Sequence, residues 1–177
     1  EQIKQGLEKI KGIPGRLERI DQGQSFTVIV DYAFEPRAVE KLYETIKLIP
    51  HAKVIHVLGS TGGGRDVARR FVLGKIAAKQ ADYVIVTNED PYDDDPQIII
   101  DQVASGAEKN GKKLNQDLLK IMDRRDAINK ALSLANKHDI VLITGKGSEQ
   151  AICMQKGEKI PWDDREVVKQ ELAKLIS

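Results

Sequence analysis

The sequence predicts a mostly parallel α/β sheet with helices on both faces and an N-terminal β-hairpin. Short apolar, β-branched runs such as Tyr83–Val86 and Ile140–Thr144 alternate with segments of helical apolar period. The intervening helices are about 10–15 residues long, as crossovers between parallel strands require. Glycine-rich or acidic clusters follow several strands, at the sheet end where ligands of such folds bind.

The elements follow in order. Gln2 to Lys11 carries Ile3, Leu7 and Ile10 at helical spacing, until Gly12 and Pro14 break it. Leu17–Ile20 and Phe26–Tyr32 read as strands joined through a Gly23 turn, hence the hairpin. Pro36–Leu48 is a helix with proline at its start. Lys53–Leu58 is a buried strand, and Arg65–Lys79 a helix turning Val72, Ile76 and Ala77 inward. Tyr83–Val86 is a strand and Pro96–Gly106 a helix. Leu118–Met122 is a weaker strand. Arg124–Lys137 is a helix with Ile128, Ala131, Leu132 and Ala135 on one face. Ile140–Thr144 is a strand, residues 147–157 have no clear type, and Asp164–Ile176 is a final helix capped by Asp163. No repeat, low-complexity tract or linker interrupts this.

Composition bounds the function. The 177 residues, 41% hydrophobic, suffice for one domain with a real core. A net charge of +1 gives no bulk attraction to nucleic acid or membrane. Cys153 is the sole cysteine, so no internal disulfide forms, which fits a reducing cytoplasm. His51, His56 and His138 share no metal-ligand spacing with it, and His56 reads as a packed strand residue. No segment approaches the roughly 20 apolar residues that span a bilayer, and no secretory signal is visible. Glu1 lies in what reads as mid-helix, so a piece of a longer chain is expected.

Four strand ends carry candidate chemistry. After Val86 comes Thr87-Asn88-Glu89-Asp90-Pro91-Tyr92-Asp93-Asp94-Asp95-Pro96, which offers six ligand-capable side chains: Asn88, Glu89, Asp90, Tyr92, Asp93 and Asp94. Its bland reading is a solvated acidic turn with Asp95 as an N-cap. After Leu58 comes Gly59-Ser60-Thr61-Gly62-Gly63-Gly64-Arg65-Asp66. This is neither a Walker A loop nor G-x-G-x-x-G; it is a generic anion site or a plain tight turn. Arg65 favours the anion, since guanidinium grips a carboxylate bidentately. Gly145-Lys146-Gly147-Ser148-Glu149 follows the strand 140–144. Asp31, ending another strand, suits sugar hydroxyls or a simple turn.

Taken in order, these segments resemble a known family. They are Pro14-Gly15-Arg16-Leu17-Glu18, Val30-Asp31-Tyr32-Ala33 with Pro36, Gly62-Gly63-Gly64-Arg65-Asp66 with Arg69-Arg70, Thr87-Asn88-Glu89-Asp90-Pro91, Asp123-Arg124, Gly145-Lys146-Gly147-Ser148-Glu149 and Trp162-Asp163-Asp164-Arg165-Glu166-Val167. The pattern, from about residue 12 to the end, resembles the C-terminal domain of the Mur ligases. It is most similar to the UDP-N-acetylmuramoyl-tripeptide synthetases, which add the third residue of the peptidoglycan stem peptide. The resemblance implies a Rossmann-like domain following a UDP-binding and a P-loop ATPase domain, with residues 1–12 as the tail of the latter. It implies ATP and Mg²⁺, bound mainly by that central domain, a UDP-N-acetylmuramoyl-dipeptide and a free amino acid. ATP phosphorylates the dipeptide carboxylate, and the amino acid's amine displaces the phosphate. A domain without the P-loop is expected to be inactive alone.

By the same resemblance, Arg16 would face ATP phosphate or ribose and Asp31 the ribose hydroxyls. Arg65 would bind the amino acid's carboxylate, and Glu89-Asp90-Pro91-Tyr92 would select it. Gly145 and Glu149 would contact its amine or far end. No residue here is implied as catalytic or as a metal ligand. Departures from the family pattern are Phe34-Glu35 for His-Thr, Ser148 for histidine, and Asp90 and Tyr92 where diaminopimelate-adding relatives have asparagine and arginine. Carboxylates without that arginine predict a basic amino acid such as lysine or ornithine. Two other readings stay open: another ligase of the superfamily, such as a folylpolyglutamate or cyanophycin synthetase, and a non-catalytic α/β binding module.

Overall fold

The computed structural model describes residues 2–8 and 12–176. Chain order is α1 (Gln2–Glu8), β1 (Glu18–Ile20), β2 (Thr27–Asp31), α2 (Pro36–Ile46), β3 (Val54–Leu58), α3 (Ala68–Gln80), β4 (Tyr83–Val86), α4 (Pro96–Glu108), β5 (Leu118–Lys120), α5 (Arg124–Leu134), β6 (Ile140–Thr144), β7 (Ala151–Cys153), β8 (Lys159–Pro161) and α6 (Asp164–Ile176). The helix expected over 2–11 is present from Gln2 to Glu8; positions 9–11 lie outside the described residues. No helix of the described residues is long and apolar enough to cross a membrane.

Six strands form one sheet in the order β1-β2-β6-β3-β4-β5. The β1–β2 hairpin is antiparallel, with Glu18 opposite Val30 and Ile20 opposite Val28. Every other pairing in the sheet is parallel. β3 and β6 are buried along their whole length, as central parallel strands covered on both faces must be. Alternate side chains then enter different cores. Ile29, Val54, Leu58, Val84, Val86, Ile140 and Leu142 pack with α2, α3 and α4. Val28, Val30, Ile55, Val57, Ile85, Val141 and Ile143 pack with α5 and α6.

The β5–α5–β6 connection returns the chain to the middle of the sheet, where helices change face. The carboxyl ends of β2, β6 and β3 therefore open onto a crevice, the place where a doubly wound sheet binds ligands.

Several expectations need correction. α3 begins at Ala68 rather than Arg65, because Gly63 and Gly64 have left-handed φ and Asp66 Oδ1, in the turn before the helix, accepts the Ala68 N–H at 2.9 Å. Arg65 thus stays on an exposed loop. Val72 is exposed, and Leu73 and Gly74 face inward beside the expected Ile76 and Ala77. α2 and α5 stop at Ile46 and Leu134. Residues 147–157 supply β7, which pairs antiparallel with β8 in a separate two-stranded sheet. His56 is packed within its strand as expected. It bridges Tyr43 Oη (2.7 Å) and Thr144 Oγ1 (2.9 Å), and burial with the nearby Arg124 lowers its pKa to about 3.

α3 and α4 touch through their glycines: a methyl added at Gly74 meets the Val103 carbonyl, and one at Gly106 meets the Phe71 backbone. Main chain cannot yield as a side chain can. Gly74→Ala is therefore expected to destabilise the domain by about 1–3 kcal/mol, read as a lower denaturant midpoint with an unchanged m-value.

Candidate functional site

Four strand ends build one pocket of about 60 Å³, lined by Tyr32, Phe34, Thr61, Arg65, Glu89, Asp90, Tyr92, Gly145 and Glu149. It gathers six residues singled out in the sequence: Arg65, Glu89, Asp90, Tyr92, Gly145 and Glu149. Pro91 is buried between Asp90 and Tyr92 with its carbonyl against Gly62. Arg16 and Asp31 lie outside the lining.

The crowded carboxylates of residues 89–95 are dispersed onto separate partners. Asp90 is buried, and both its oxygens accept from Lys146 Nζ at 2.8 Å. Its Oδ1 also accepts the Cys153 N–H at 2.7 Å. Asp93 is exposed and takes the Lys156 N–H at 2.8 Å. Asp94 pairs with Arg70 at 2.6 Å. Asp95 caps α4 through the Gln97 N–H, as the bland reading expected. The side-chain oxygen of Asn88 folds onto the Glu89 N–H.

Glu89 is the exception. It is 3% exposed, and its carboxylate has no hydrogen-bond partner among the described residues. It fills the space over Gly59 and Gly145; any side chain at Gly145 would strike it. Burial raises its pKa to about 7, with Asp90 adding to the rise and Arg124, Lys146 and Arg69 opposing it. Near neutrality this group holds or releases a proton readily. An entering cation would favour the ionised form.

Lys146 is 1% exposed yet charged. Burial pulls its pKa down, but Asp90 and Glu149 outweigh burial and the net shift is upward. Glu149 Oε2 lies 2.7 Å from Lys146 Nζ, and Glu149 Oε1 accepts from Tyr32 Oη at 3.0 Å. One ammonium therefore holds two carboxylates from different strand ends at fixed positions.

The β7–β8 hairpin docks on the acidic loop. The Tyr92 N–H donates to the Cys153 carbonyl at 3.0 Å. Tyr92 has a left-handed φ of 49°, uncommon for a bulky residue, and its ring packs over Gly63. These contacts stand its ring at the pocket wall.

On the β3 side, buried Arg69 pairs with Glu35 at 2.5 Å and also meets Thr61 Oγ1. Buried Arg70 also binds Gln102 at 2.8 Å and the Thr61 carbonyl at 3.3 Å. Arg65 is exposed and reaches the pocket from the same loop. Ser60 Oγ, Arg69 Nε and Arg70 Nε are buried without hydrogen-bond partners among the described residues. Arg69 and Arg70 are matched by Glu35 and Asp94, so Arg65 is the cation that this side presents to the lining, across from Glu89 and Glu149, a polarity suited to a zwitterion.

Arg16 is exposed, with its guanidinium 4.5 Å from the Tyr32 ring centre. Asp31 accepts the Leu17 N–H and the Ala33 N–H, each at 2.7 Å. Its carboxylate thus fixes the turn that carries Arg16.

Sequence reasoning assigned no role to Lys146, Tyr32, Arg69 or Arg70, and none to the pair Arg124–Asp164. Arg124 and Asp164 are almost fully buried. Arg124 Nε and Nη2 donate to Asp164 at 2.8 and 2.7 Å, Nη2 also to the Thr144 carbonyl at 2.8 Å, and Nη1 to the Asn88 carbonyl at 3.2 Å. The recurrent Asp123-Arg124 and Trp162-Asp163-Asp164 segments were the available signal. Among the described residues no three His, Cys, Asp or Glu side chains converge as a metal site, so none is assigned to Mg²⁺.

Known proteins are similar to this chain. A family model described as "Mur ligase, glutamate ligase domain" matches residues 15–147. A UDP-N-acetylmuramyl-tripeptide synthetase of Roseiflexus sp. (strain RS-1) is 44% identical over 169 residues, 96% of this chain and 33% of that protein. A UDP-N-acetylmuramoyl-L-alanyl-D-glutamate–2,6-diaminopimelate ligase of Syntrophomonas wolfei is 39% identical over 165 residues, 93% of this chain and 33% of that protein. A solved structure of a ligase of that second name superposes with a TM-score of 0.78 at 30% identity, covering 96% of this chain and 33% of that one. The chain spans about a third of the length of these relatives.

Glu89 makes stability depend on pH in a defined direction. Its folded pKa of about 7 lies above its ordinary 4.5. The protonated form therefore favours the fold; that contribution is complete below the ordinary value and is lost as pH rises through about 7. Glu89→Gln, which cannot ionise, is expected to match the wild type near pH 4 and exceed it by up to about 3 kcal/mol near pH 8. Urea midpoints across pH measure the difference.

Proposed function

Since the chain belongs to the Mur ligase family as its glutamate ligase domain, we propose that it is the C-terminal domain of an ATP-dependent, ADP-forming ligase. The enzyme adds the third residue to UDP-N-acetylmuramoyl-dipeptide, and that residue is a basic amino acid such as lysine or ornithine. The observation that carries the specificity is Glu89, a buried carboxylate without a hydrogen-bond partner among the described residues, in a pocket that also holds Glu149.

The charge balance supports a cation. Glu89, Asp90 and Glu149 face Lys146 and Arg65, three carboxylates against two cations. In this reading Arg65 takes the incoming α-carboxylate. A side-chain ammonium then completes the balance beside Glu89, replacing water by a paired charge. Asp90 contributes indirectly, because its charge is already matched by Lys146. A second carboxylate, as in diaminopimelate, would meet Glu89 and Glu149 with no arginine at Tyr92 to receive it.

Within this reading ATP and Mg²⁺ are held mainly by the preceding central domain, to which residues 1–12 belong, and the reaction is cytoplasmic. Phosphoryl transfer from ATP activates the dipeptide carboxylate as an acyl phosphate. The amino acid's amine then attacks the acyl carbon, the C–N bond forms, and the C–O bond to phosphate breaks. The present domain orients that amine by gripping the rest of the amino acid, and alone it is inactive.

Phosphate release by the full-length protein with UDP-N-acetylmuramoyl-dipeptide, ATP and a panel of amino acids tests this. Turnover with lysine or ornithine exceeding that with diaminopimelate is expected; a preference for diaminopimelate refutes the cation argument. Tyr92→Arg should shift kcat/KM toward diaminopimelate by about tenfold or more, the scale of one charge-assisted pair.

A further inference from the structure

Tyr32 follows β2 directly and touches both halves of the site. Its N–H donates to the Gly15 carbonyl at 2.8 Å. The preceding Asp31 holds the Leu17 N–H, and Leu17 adopts a left-handed φ of 46°. Both neighbours of Arg16 are thereby anchored to residues 31–32, and the Arg16 guanidinium rests 4.5 Å from the Tyr32 ring centre. A ring face orients a guanidinium without consuming its N–H donors. The donors stay available for an anion arriving from solvent.

The other end of Tyr32 serves the pocket. Its hydroxyl donates to Glu149 Oε1 at 3.0 Å, while Glu149 Oε2 is held by Lys146, which in turn holds Asp90. Phe34 stacks edge-on against the ring at 5.1 Å and limits its rotation. Burial first, then acceptance by Glu149, raises the phenol's pKa, so the hydroxyl remains a donor through the neutral range.

We propose that Tyr32 is a positioning residue that ties the nucleotide side of this domain to its amino-acid pocket. The ring face presents Arg16 to the nucleotide, and the hydroxyl sets the Glu149 carboxylate for the amino acid. This rests on the ligase reading above. The two functions reside in different parts of one side chain, so substitutions separate them. Tyr32→Phe keeps the ring and removes the hydroxyl. Tyr32→Leu removes both.

The test is steady-state kinetics of the full-length ligase, with KM for ATP and for the amino acid measured separately and thermal melting as a control. Tyr32→Phe should raise KM for the amino acid about tenfold, the worth of one hydrogen bond to a charged group, with KM for ATP unchanged. Tyr32→Leu should raise both. Should Tyr32→Leu fail to fold, Arg16→Gln on the exposed turn replaces it, and is expected to raise KM for ATP alone. An active wild type whose Tyr32→Phe variant keeps its KM for the amino acid, or raises both KM values equally, overturns the proposal. A wild type that ligates no amino acid overturns the ligase reading and this inference together.

Discussion

The Arg124 guanidinium is the constraint on which the site's geometry depends. It joins the main chain at the end of β4, the main chain at the end of β6 and the first turn of α6. Burying a guanidinium and a carboxylate removes hydration worth several kcal/mol per ion, so such a pair persists only when its hydrogen bonds are well satisfied. Asp164 accepts twice from Arg124 and once from Trp162 Nε1 at 2.8 Å. The two carbonyls take further donors. Because these acceptors belong to different elements, the pair acts as a spacer: it sets how far the 88–94 loop stands from the 145–149 loop, and so the width of the pocket between them.

Within that frame, the pocket's electrostatics follow from which acids find partners. The 89–95 stretch looks strongly self-repelling as a string of letters. In the fold its charges point apart, toward Lys146, Arg70, the Lys156 amide and the first turn of α4. Of the two acids of this stretch that line the cavity, Asp90 is held by Lys146, whereas the Glu89 carboxylate has no hydrogen-bond partner among the described residues. A cluster of like charges has thereby become one uncompensated group surrounded by matched pairs. On the reading proposed above, this arrangement would be more selective than a uniformly acidic surface, because a cation would gain most at a single point.

Much of this was legible in the sequence, and the boundary has a physical cause. Strands such as 83–86 and 140–144 are continuous apolar runs whose local character decides their state. Asp95, Asp123 and Asp163 announce helix starts because capping is local. The residues that organise the site are paired across long stretches of chain, Arg124 with Asp164 and Lys146 with Asp90. Nothing in local spacing encodes such a partner. The acidic pocket was anticipated, but its division into matched and unmatched acids depends on Lys146, which reads in isolation as a solvated turn lysine. The β7–β8 pair escaped notice because its strands are three residues each and show little alternation. The misjudged Val72 reflects a helix whose inner face carries a glycine and two arginines instead of a clean apolar stripe.

The docking of the β7–β8 hairpin on the acidic loop has an evolutionary reading. The hairpin forms its own small sheet and takes no part in the main ladder, yet its Cys153 and Lys156 amides hold Asp90 and Asp93, and its Cys153 carbonyl holds Tyr92. On the ligase reading proposed above, substrate preference would be stored in two peripheral segments, 89–94 and 151–161. Drift in one segment alone would leave the other without its hydrogen-bonding partners, so the two are expected to be inherited as a unit. A chimera that exchanges them together between relatives would transplant selectivity while leaving the core strands untouched.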